Sequence, residues 1–144
     1  MTIARLIAGR GGEVWRCHAE DTVADAVEVL AKKRIGALPV QDGDGDGVAG
    51  IFSERDVLYS LQNHGADALR MKVRDVMTAP VITIAPDTSV MEALALMTRR
   101  RFRHLPVVEN GRMVAFVSIG DLVKYRIDRI EAEADAMRVY IQQA

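Results

Sequence analysis

The 144-residue sequence predicts an α/β fold built from two similar units, and three observations support this prediction. An apolar run followed by Ser-x-x-Asp occurs twice, within Gly50–Asp56 and within Ala115–Asp121. A Leu-Pro-Val tripeptide precedes each run, at Leu38–Val40 and at Leu105–Val107. Hydrophobic residues make up 49% of the chain, which is enough for a packed core. Self-similarity of this kind indicates two copies of one supersecondary unit.

Each unit is predicted to run strand, helix, short strand, strand, helix (β-α-β-β-α). Val14–Cys17 alternates apolar and polar residues as a strand does, and Val81–Ile84 is its counterpart in the second unit. Helix starts follow at Thr22 and at Ser89, where Ser89 and Glu92 have the spacing of a capping box. The nearly all-apolar strand before each Ser-x-x-Asp motif is expected to lie between layers.

The flanking segments are predicted to be helical. A short N-terminal helix is expected around Ile3, Leu6 and Ile7, ended by Gly9, Gly11 and Gly12. The last helix begins near Asp121 and carries a heptad-like apolar seam: Val123, Ile127, Ile130, Ala134, Met137 and Ile141. This seam packs either on the helix's own core or against a second copy of the chain. The expected organisation is a first repeat at 8–65, a second repeat at 76–130 and a C-terminal helical extension at 131–144.

Composition argues against several classes of protein. The formal net charge of −1 lacks the basic excess that is usual in a general nucleic-acid binder. A single cysteine, Cys17, cannot form an internal disulfide, which fits a reducing compartment. The sequence shows no signal peptide and no run of about 18 apolar residues. We therefore expect a cytoplasmic protein without a membrane span.

The two Ser-x-x-Asp motifs are the strongest candidates for a binding function. Each motif falls where a buried strand passes into a helix, close to backbone N–H groups that the helix leaves unpaired. Phosphate and ribose groups bind readily at such positions. The same four residues also make an ordinary capping box, and the two roles are compatible. The occurrence of the motif in both copies of a repeated unit favours a ligand-binding role.

Two further clusters have competing interpretations. Asp42–Gly47 resembles the first half of an EF-hand loop, but position twelve would be Ser53, so we interpret it as a hairpin loop and expect no metal. Arg99–His104 is the densest basic cluster. It is either a solvated helix end, a phosphate-binding segment with an aromatic ring or His near a base, or a nucleic-acid patch.

No catalytic constellation is evident in the sequence. His18, His64 and His104 do not have metal-ligand spacing with each other or with Cys17. There is no Gly-x-Gly-x-x-Gly sequence, Walker loop, nucleophile elbow or paired-carboxylate site. We therefore predict that the chain is not an enzyme.

With these motifs in hand, the chain resembles a tandem pair of CBS domains, also called a Bateman module, over roughly residues 8–128. The likeness rests on an ordered set of segments that occurs twice. In the first copy these are 35–40 and 50–56, and in the second they are 76–78, 86–89, 102–107 and 117–121. The resemblance implies two repeats paired about a pseudo-twofold axis with two clefts between them. It also implies binding of AMP, ADP, ATP, S-adenosylmethionine or NAD(H) as a small-molecule nucleotide ligand.

The family's functional positions transfer residue by residue. Asp56 and Asp121 would hold ribose hydroxyls, with Ser53 and Ser118 assisting. Thr83 with Val81 and Ile82 would line one base pocket, and Arg16 with Cys17 the other. Arg103 and His104 lie in the family's phosphate-and-base segment, and Lys72 and Arg55 are within expected reach of phosphate. The matching motifs further contribute Ile119, Pro106, Met77, Ala37 and Pro39 as candidate ligand contacts.

The sequence departs from the family pattern at Ala115, where a glycine is usual, and at His18-Ala19, which matches Ala85-Pro86 in the other copy. We therefore expect unequal sites and favour the one grouping Thr83, Ser118 and Asp121 with Arg103 and His104. The leading hypothesis is a stand-alone regulatory or sensor protein that forms a homodimer and signals to a separate, unidentified protein partner. A nucleic-acid-binding module acting through Arg99–Arg103 and a ligand-free dimer scaffold are the alternatives.

Overall fold

The computed structural model describes residues 1–10 and 14–144. The predicted end of the first helix at Gly11 and Gly12 lies outside these residues. The elements in chain order are α1 (Ile3–Ile7), β1 (Cys17–His18), α2 (Val23–Lys33), β2 (Ala37–Gln41), β3 (Gly50–Ser53), α3 (Glu54–His64), a 3-10 helix (Gly65–Arg70), α4 (Val73–Val76), α5 (Val90–Arg100), β4 (His104–Glu109), β5 (Arg112–Ser118) and α6 (Ile119–Gln143).

The first repeat has the predicted β-α-β-β-α order. Its three-stranded sheet has the order β1-β2-β3, with β1 parallel to β2 and β2 antiparallel to β3. In the second repeat, β4 pairs antiparallel with β5, and Ile84 makes only an isolated parallel bridge to Val107. The chain is thus an α/β protein of two repeats, as the sequence predicted.

The predicted first strands, Val14–Cys17 and Val81–Ile84, are too long. β1 starts only at Cys17, which pairs with Val40, so Arg16 would face Pro39. In the second repeat Ile84 pairs with Val107, which leaves Thr83 opposite Pro106. Proline has no N–H to donate to a neighbouring strand, so ladder pairing stops at the same position in both repeats. Strand pairing therefore does not extend over Val14–Arg16 or Val81–Thr83.

Side-chain caps begin the longer helices, as the motifs predicted. Ser53 and Asp56 form a reciprocal capping box at α3, and Ser118 and Asp121 form another at α6. Ser89 and Glu92 form a third box at α5. The two Ser-x-x-Asp motifs therefore do have a structural role, whatever else they do.

The short helix that precedes each repeat packs into the hydrophobic core of the other repeat. Ile3 and Leu6 of α1 are buried in the core of the second repeat, whereas Val73 of α4 is buried in the core of the first. The hydrogen bonds of the two exchanges match: the N–H of Ile3 donates to the carbonyl of Thr88 at 2.9 Å, and that of Val73 donates to Asp21 at 2.8 Å. Helices of five and four residues are not stable alone, so tertiary packing holds them in place.

The exchanged helices also explain why each repeat is incomplete without the other. Val90 at the start of α5 donates to the carbonyl of Met1 at 3.2 Å, and Val23 at the start of α2 donates to Met71 at 2.9 Å. Each first helix is thus bonded to the chain that precedes the opposite repeat. This arrangement fixes the two repeats against one another and shapes the space between them.

The C-terminal helix α6 has 25 residues, and its only buried residue is Leu122. The apolar seam is exposed: Val123 is 43% accessible, Ile127 49%, Ile130 48%, Met137 59% and Ile141 64%. The interpretation that this seam packs on the chain's own core is therefore wrong. Among residues 1–10 and 14–144, no helix combines the length and apolarity needed to cross a bilayer.

Candidate functional site

Two clefts lie between the repeats, and each contains one Ser-x-x-Asp motif. The Asp56 cleft has a volume of about 600 Å³ and combines the first motif with residues of the second repeat. The Asp121 cleft has a volume of about 450 Å³ and combines the second motif with residues of the first repeat. Both volumes are in the range of small-molecule sites in proteins. Gly36 and His104 line both clefts, so they mark the junction between the two spaces.

Asp56 is held firmly within its cleft. Its side chain is buried, and Oδ2 accepts hydrogen bonds from the backbone N–H of Ser53 at 2.9 Å and from the Ser53 hydroxyl at 3.1 Å. The hydroxyl of Thr78 donates to Oδ1 at 3.0 Å. An ionised carboxylate has roughly four acceptor positions, so about one remains for a ligand.

Asp121 is more open. Its side chain is 34% exposed, Oδ2 accepts from the backbone N–H of Ser118 at 2.8 Å, and Oδ1 contacts the Arg10 guanidinium at 3.0 Å. Partial burial opposes ionisation, but the Ser118 backbone N–H and Arg10 outweigh it and hold the pKa of Asp121 below its ordinary value. Asp121 is therefore an ionised acceptor at neutral pH, available to the hydroxyl groups of a ligand.

His104 stands at the junction of the two clefts. Its ring stacks on Phe116, with centroids 5.3 Å apart and planes at 12°. Burial lowers the pKa of His104 below 6.5, which outweighs the opposing effect of Asp121. The neutral imidazole at pH 7 offers one donor and one acceptor nitrogen to whichever cleft is filled.

The Asp121 cleft also contains apolar side chains. Trp15, Ile35 and Phe116 line this space, and the Lys33 ammonium lies 3.7 Å from the centroid of the Trp15 ring. Trp15 remains 41% exposed. Flat apolar surfaces of this kind accommodate an aromatic base by stacking.

The arginines of the predicted basic cluster lie at the Asp56 cleft. Arg100, Arg101 and Arg103 line it together with Arg55 from the first turn of α3. The same lining contains only two carboxylates, those of Glu54 and Asp56. This end of the cleft is therefore suited to an anionic group.

The structure sorts the predicted site residues into three sets. At the Asp56 cleft it gathers Ser53, Arg55, Asp56, Val81, Ile82, Arg103 and His104. At the Asp121 cleft it gathers Ala37, His104, Ser118 and Asp121. Neither described lining contains Arg16, Pro39, Lys72, Met77, Thr83, Pro106 or Ile119.

The grouping that the sequence favoured is wrong in its geometry. Thr83, Val81 and Ile82 were expected beside Asp121, but Val81 and Ile82 line the Asp56 cleft and Thr83 lines neither cleft. The cause is the crossed pairing of the repeats: the motif of one repeat faces the segment before the first helix of the other. Motif order along the chain does not reveal which pieces meet.

Five of these seven residues have structural positions. Lys72 pairs with Glu20 at 2.5 Å. Met77 packs on the first core, while Pro39 and Pro106 are buried within β2 and β4. Ile119 is partly buried against the second core.

Sequence reasoning missed many residues of the clefts, and four of them bear directly on ligand binding. Thr78 and Arg10 contact the motif carboxylates, and Trp15 and Phe116 supply aromatic surface. The position of Trp15 within the predicted strand Val14–Cys17 was a signal for its role, because the second-repeat equivalent of that strand had been assigned to a base pocket. Arg10 gave no signal, since its contact with Asp121 spans almost the whole chain.

The Asp-Gly loop lies away from both clefts and connects β2 to β3 as a hairpin, as predicted. The Arg74 guanidinium donates to Asp42 at 2.9 and 3.0 Å, and Arg112 donates to Asp46 at 2.9 Å. Two of the loop carboxylates are thus paired with arginines. Across residues 1–10 and 14–144, no group of three or more His, Cys, Asp or Glu side chains is arranged to hold a metal ion.

Two clefts between crossed β-α-β-β-α repeats, each with a Ser-x-x-Asp cap, define a pair of CBS domains. The chain matches the CBS domain family twice, at residues 13–63 and 73–128, and it belongs to that family. The CBS domain-containing protein CBSX3, mitochondrial, of Arabidopsis thaliana is 38% identical over 135 residues. That match covers 92% of this chain and 65% of CBSX3, so the chain spans about two thirds of that relative.

Solved structures of CBS proteins share the fold. A protein with CBS domains from Burkholderia ambifaria is 38% identical, with a TM-score of 0.82 and coverage of 89% of this chain and 95% of that one. CBSX2, solved in complex with AMP, is 25% identical, with a TM-score of 0.74 and coverage of 88% of this chain and 96% of that one.

Proposed function

We propose that this CBS pair is a regulatory protein that binds an adenine nucleotide, AMP, ADP, ATP or NAD(H), in the clefts between its repeats. The observation that carries the proposal is the ionised, partly exposed Asp121 in the lining of a cleft that also contains aromatic side chains. A carboxylate accepts hydrogen bonds from both hydroxyls of a ribose, and an aromatic wall stacks on a base. The complex of the related CBSX2 with AMP supports the ligand class.

Ligand binding between the repeats can regulate a partner by changing how the two repeats are arranged. Each cleft is built from both repeats, so a bound nucleotide favours one relative arrangement of the repeats over another. Because α1 and α4 are each buried in the opposite core, a change in that arrangement also alters the segments flanking each repeat. A separate partner protein would detect this change. We propose no chemical step for the chain itself.

Calorimetric titration with AMP, ADP, ATP and NADH tests the binding proposal. Asp121→Asn keeps an oxygen for the helix cap but removes the charge, so we expect nucleotide affinity at the Asp121 cleft to fall about tenfold or more. Glu92→Gln is the matched control. Ser89 and Glu92 form the same kind of capping box at the start of α5, and neither residue lines a described cleft. Absence of binding heat with all four nucleotides would refute the proposal.

The exposed seam on α6 supports a second part of the proposal, a homodimer. Apolar residues recur along α6 at spacings of four and three, and they remain solvent-exposed in the single chain. A second copy offers the same seam, as twofold symmetric pairing requires. Sedimentation of the full chain and of a chain ending at Val123 tests this: we expect a dimer from the first and weaker association from the second. Monomers from both would exclude it.

Nucleic-acid binding through Arg99–Arg103 is less favoured, because three of these arginines line a cleft that is bounded by two carboxylates. A ligand-free scaffold is favoured by one observation, the nearly complete internal hydrogen bonding of Asp56. The titration above separates this alternative from nucleotide binding. The cytoplasmic location remains a prediction, and the plant relative CBSX3 is named as mitochondrial.

A further inference from the structure

The two clefts present different charges at equivalent backbone positions. In the first repeat the residue after the Ser-Glu pair is Arg55, whereas Gly120 stands at that position in the second motif. The residue before the strand containing Leu-Pro-Val differs in the same way: Gly36 in the first repeat corresponds to Arg103. Because the repeats are crossed, Arg55 and Arg103 both line the Asp56 cleft.

The backbone frame at these positions is the same, so the difference lies in the side chains alone. The N–H of Glu54 donates to the carbonyl of Gly36 at 3.0 Å, and the N–H of Ile119 donates to Arg103 at 2.8 Å. Each motif is thus tied to the same point of its own repeat, the residue before the strand containing Leu-Pro-Val. The Asp56 cleft gains two guanidinium groups where the corresponding positions of the other cleft hold glycine.

The Asp121 cleft has fewer cations available for an anion. Its described lining contains Arg10 and Arg34, and Arg10 is already paired with Asp121 at 3.0 Å. Its other walls are largely apolar, with Trp15 and Phe116 among them. This lining fits an adenosine group with little negative charge, whereas each further phosphate would lack a guanidinium partner.

We infer that the Asp56 cleft is the site for di- and triphosphate nucleotides, with Arg55 and Arg103 selecting for the phosphate chain. The Asp121 cleft accepts a nucleoside or a nucleoside monophosphate. The inference rests on the proposed nucleotide function and adds an assignment of ligand class to each cleft. Arginine suits this role because its planar guanidinium binds phosphate oxygens through two parallel hydrogen bonds.

The chain carries a built-in probe that tells the clefts apart. Trp15 is its only tryptophan, and it lines the Asp121 cleft. A ligand stacking there changes tryptophan emission, whereas a ligand in the Asp56 cleft does not contact the ring. Calorimetry reports both events, so the two readouts together assign each binding step to a cleft.

The experiment titrates ATP and AMP into the full chain and follows heat and Trp15 emission. We expect the tighter ATP step to release heat without changing emission, and AMP to change emission. Arg55→Gln with Arg103→Gln should weaken the tight ATP step about tenfold or more and AMP by less than about threefold. Arg99→Gln is the matched control, since this exposed arginine at the end of α5 lines neither described cleft.

A gain-of-function variant provides the reverse test. A Cβ at Gly120 would lie 3.6 Å from the Ser118 hydroxyl oxygen, an ordinary contact, so Gly120→Arg is compatible with the fold. We expect it to strengthen ATP binding at the Asp121 cleft, detected by Trp15 emission. Emission that follows the tight ATP step, or equal losses for AMP and ATP in the double variant, would overturn the inference while leaving nucleotide binding intact. No heat with either nucleotide would instead refute the proposed function.

Discussion

The Asp56 cleft and the Asp121 cleft share one backbone frame, but their carboxylates differ in burial and in hydrogen-bond partners. Asp56 is buried and accepts three hydrogen bonds from Ser53 and Thr78, while Asp121 is partly exposed and paired with Arg10. The capping box, the strand-to-helix junction and the hydrogen bond from the second motif residue to the residue before the Leu-Pro-Val strand are the same in both. Duplication has therefore preserved the main-chain hydrogen bonds, and substitutions around them have made the two sites distinct. Three experiments on matched positions test how far this difference extends.

The largest effect is expected at the position where Gly50 in β3 matches Ala115 in β5. A Cβ on Gly50 would lie 2.5 Å from the Met77 sulfur and 3.0 Å from the Thr78 carbonyl oxygen. That segment cannot move freely, because Thr78 pairs with Ile51 through two backbone hydrogen bonds. We expect Gly50→Ala to lower the free energy of unfolding by about 1–3 kcal/mol. Urea denaturation measures the change.

The control for this experiment is Ala115→Gly in the second repeat. It creates no overlap and is expected to cost about 0.5–1 kcal/mol, the ordinary effect of glycine in a strand. Similar losses of stability for the two variants would show that Met77 and Thr78 can move away from an added methyl group on β3. The two strands would then differ less in steric tolerance than the distances at Gly50 imply.

The second test removes the two motif carboxylates in turn. Asp56→Ala leaves the Ser53 N–H and the Thr78 hydroxyl without their acceptor in a partly buried setting, at a cost of about 2 kcal/mol. Asp121→Ala loses a helix cap that water can partly replace, at a cost of about 1 kcal/mol. Thermal unfolding of both variants measures the order. A larger loss from Asp121→Ala would reverse our assignment of the buried, structural carboxylate to the first repeat.

The smallest effect concerns His104, whose counterpart in the first repeat is Ala37. Burial lowers the pKa of His104 below 6.5 in the folded chain, and Asp121, Arg103 and Glu54 are the charged groups that act on it. The unfolded chain therefore takes up a proton more readily, so the stability due to His104 is present above about pH 6.5 and declines as the pH falls towards the folded-state pKa. His104→Gln should flatten this decline between pH 7 and pH 5.

Chemical denaturation at several pH values measures the effect of His104. The range from pH 7 to pH 5 avoids the titration of carboxylates with ordinary pKa values, because these titrate near pH 4. His104→Gln is compared with the unchanged chain at each pH, so its own packing cost cancels from the slope. An unchanged slope would mean that His104 is hydrated in the folded chain.

The sequence alone was sufficient to locate the longer helices. Apolar periodicity placed α2 and α5, and the Ser-x-x-Asp and Ser-x-x-Glu spacings located the starts of α3, α5 and α6. These features depend on residues within one or two turns of each other, so their signals lie close together in the chain. The doubled motif also predicted that there would be two sites.

Only the tertiary structure decided which segments meet. It exchanged α1 and α4 between the cores, brought Arg10 to Asp121 and Thr78 to Asp56, and placed Val81 beside the first motif rather than the second. Sequence spacing carries no information about such crossings, because two equivalent repeats offer equivalent local signals for either pairing. The choice between them depends on which packing buries both cores and satisfies their backbone hydrogen bonds together.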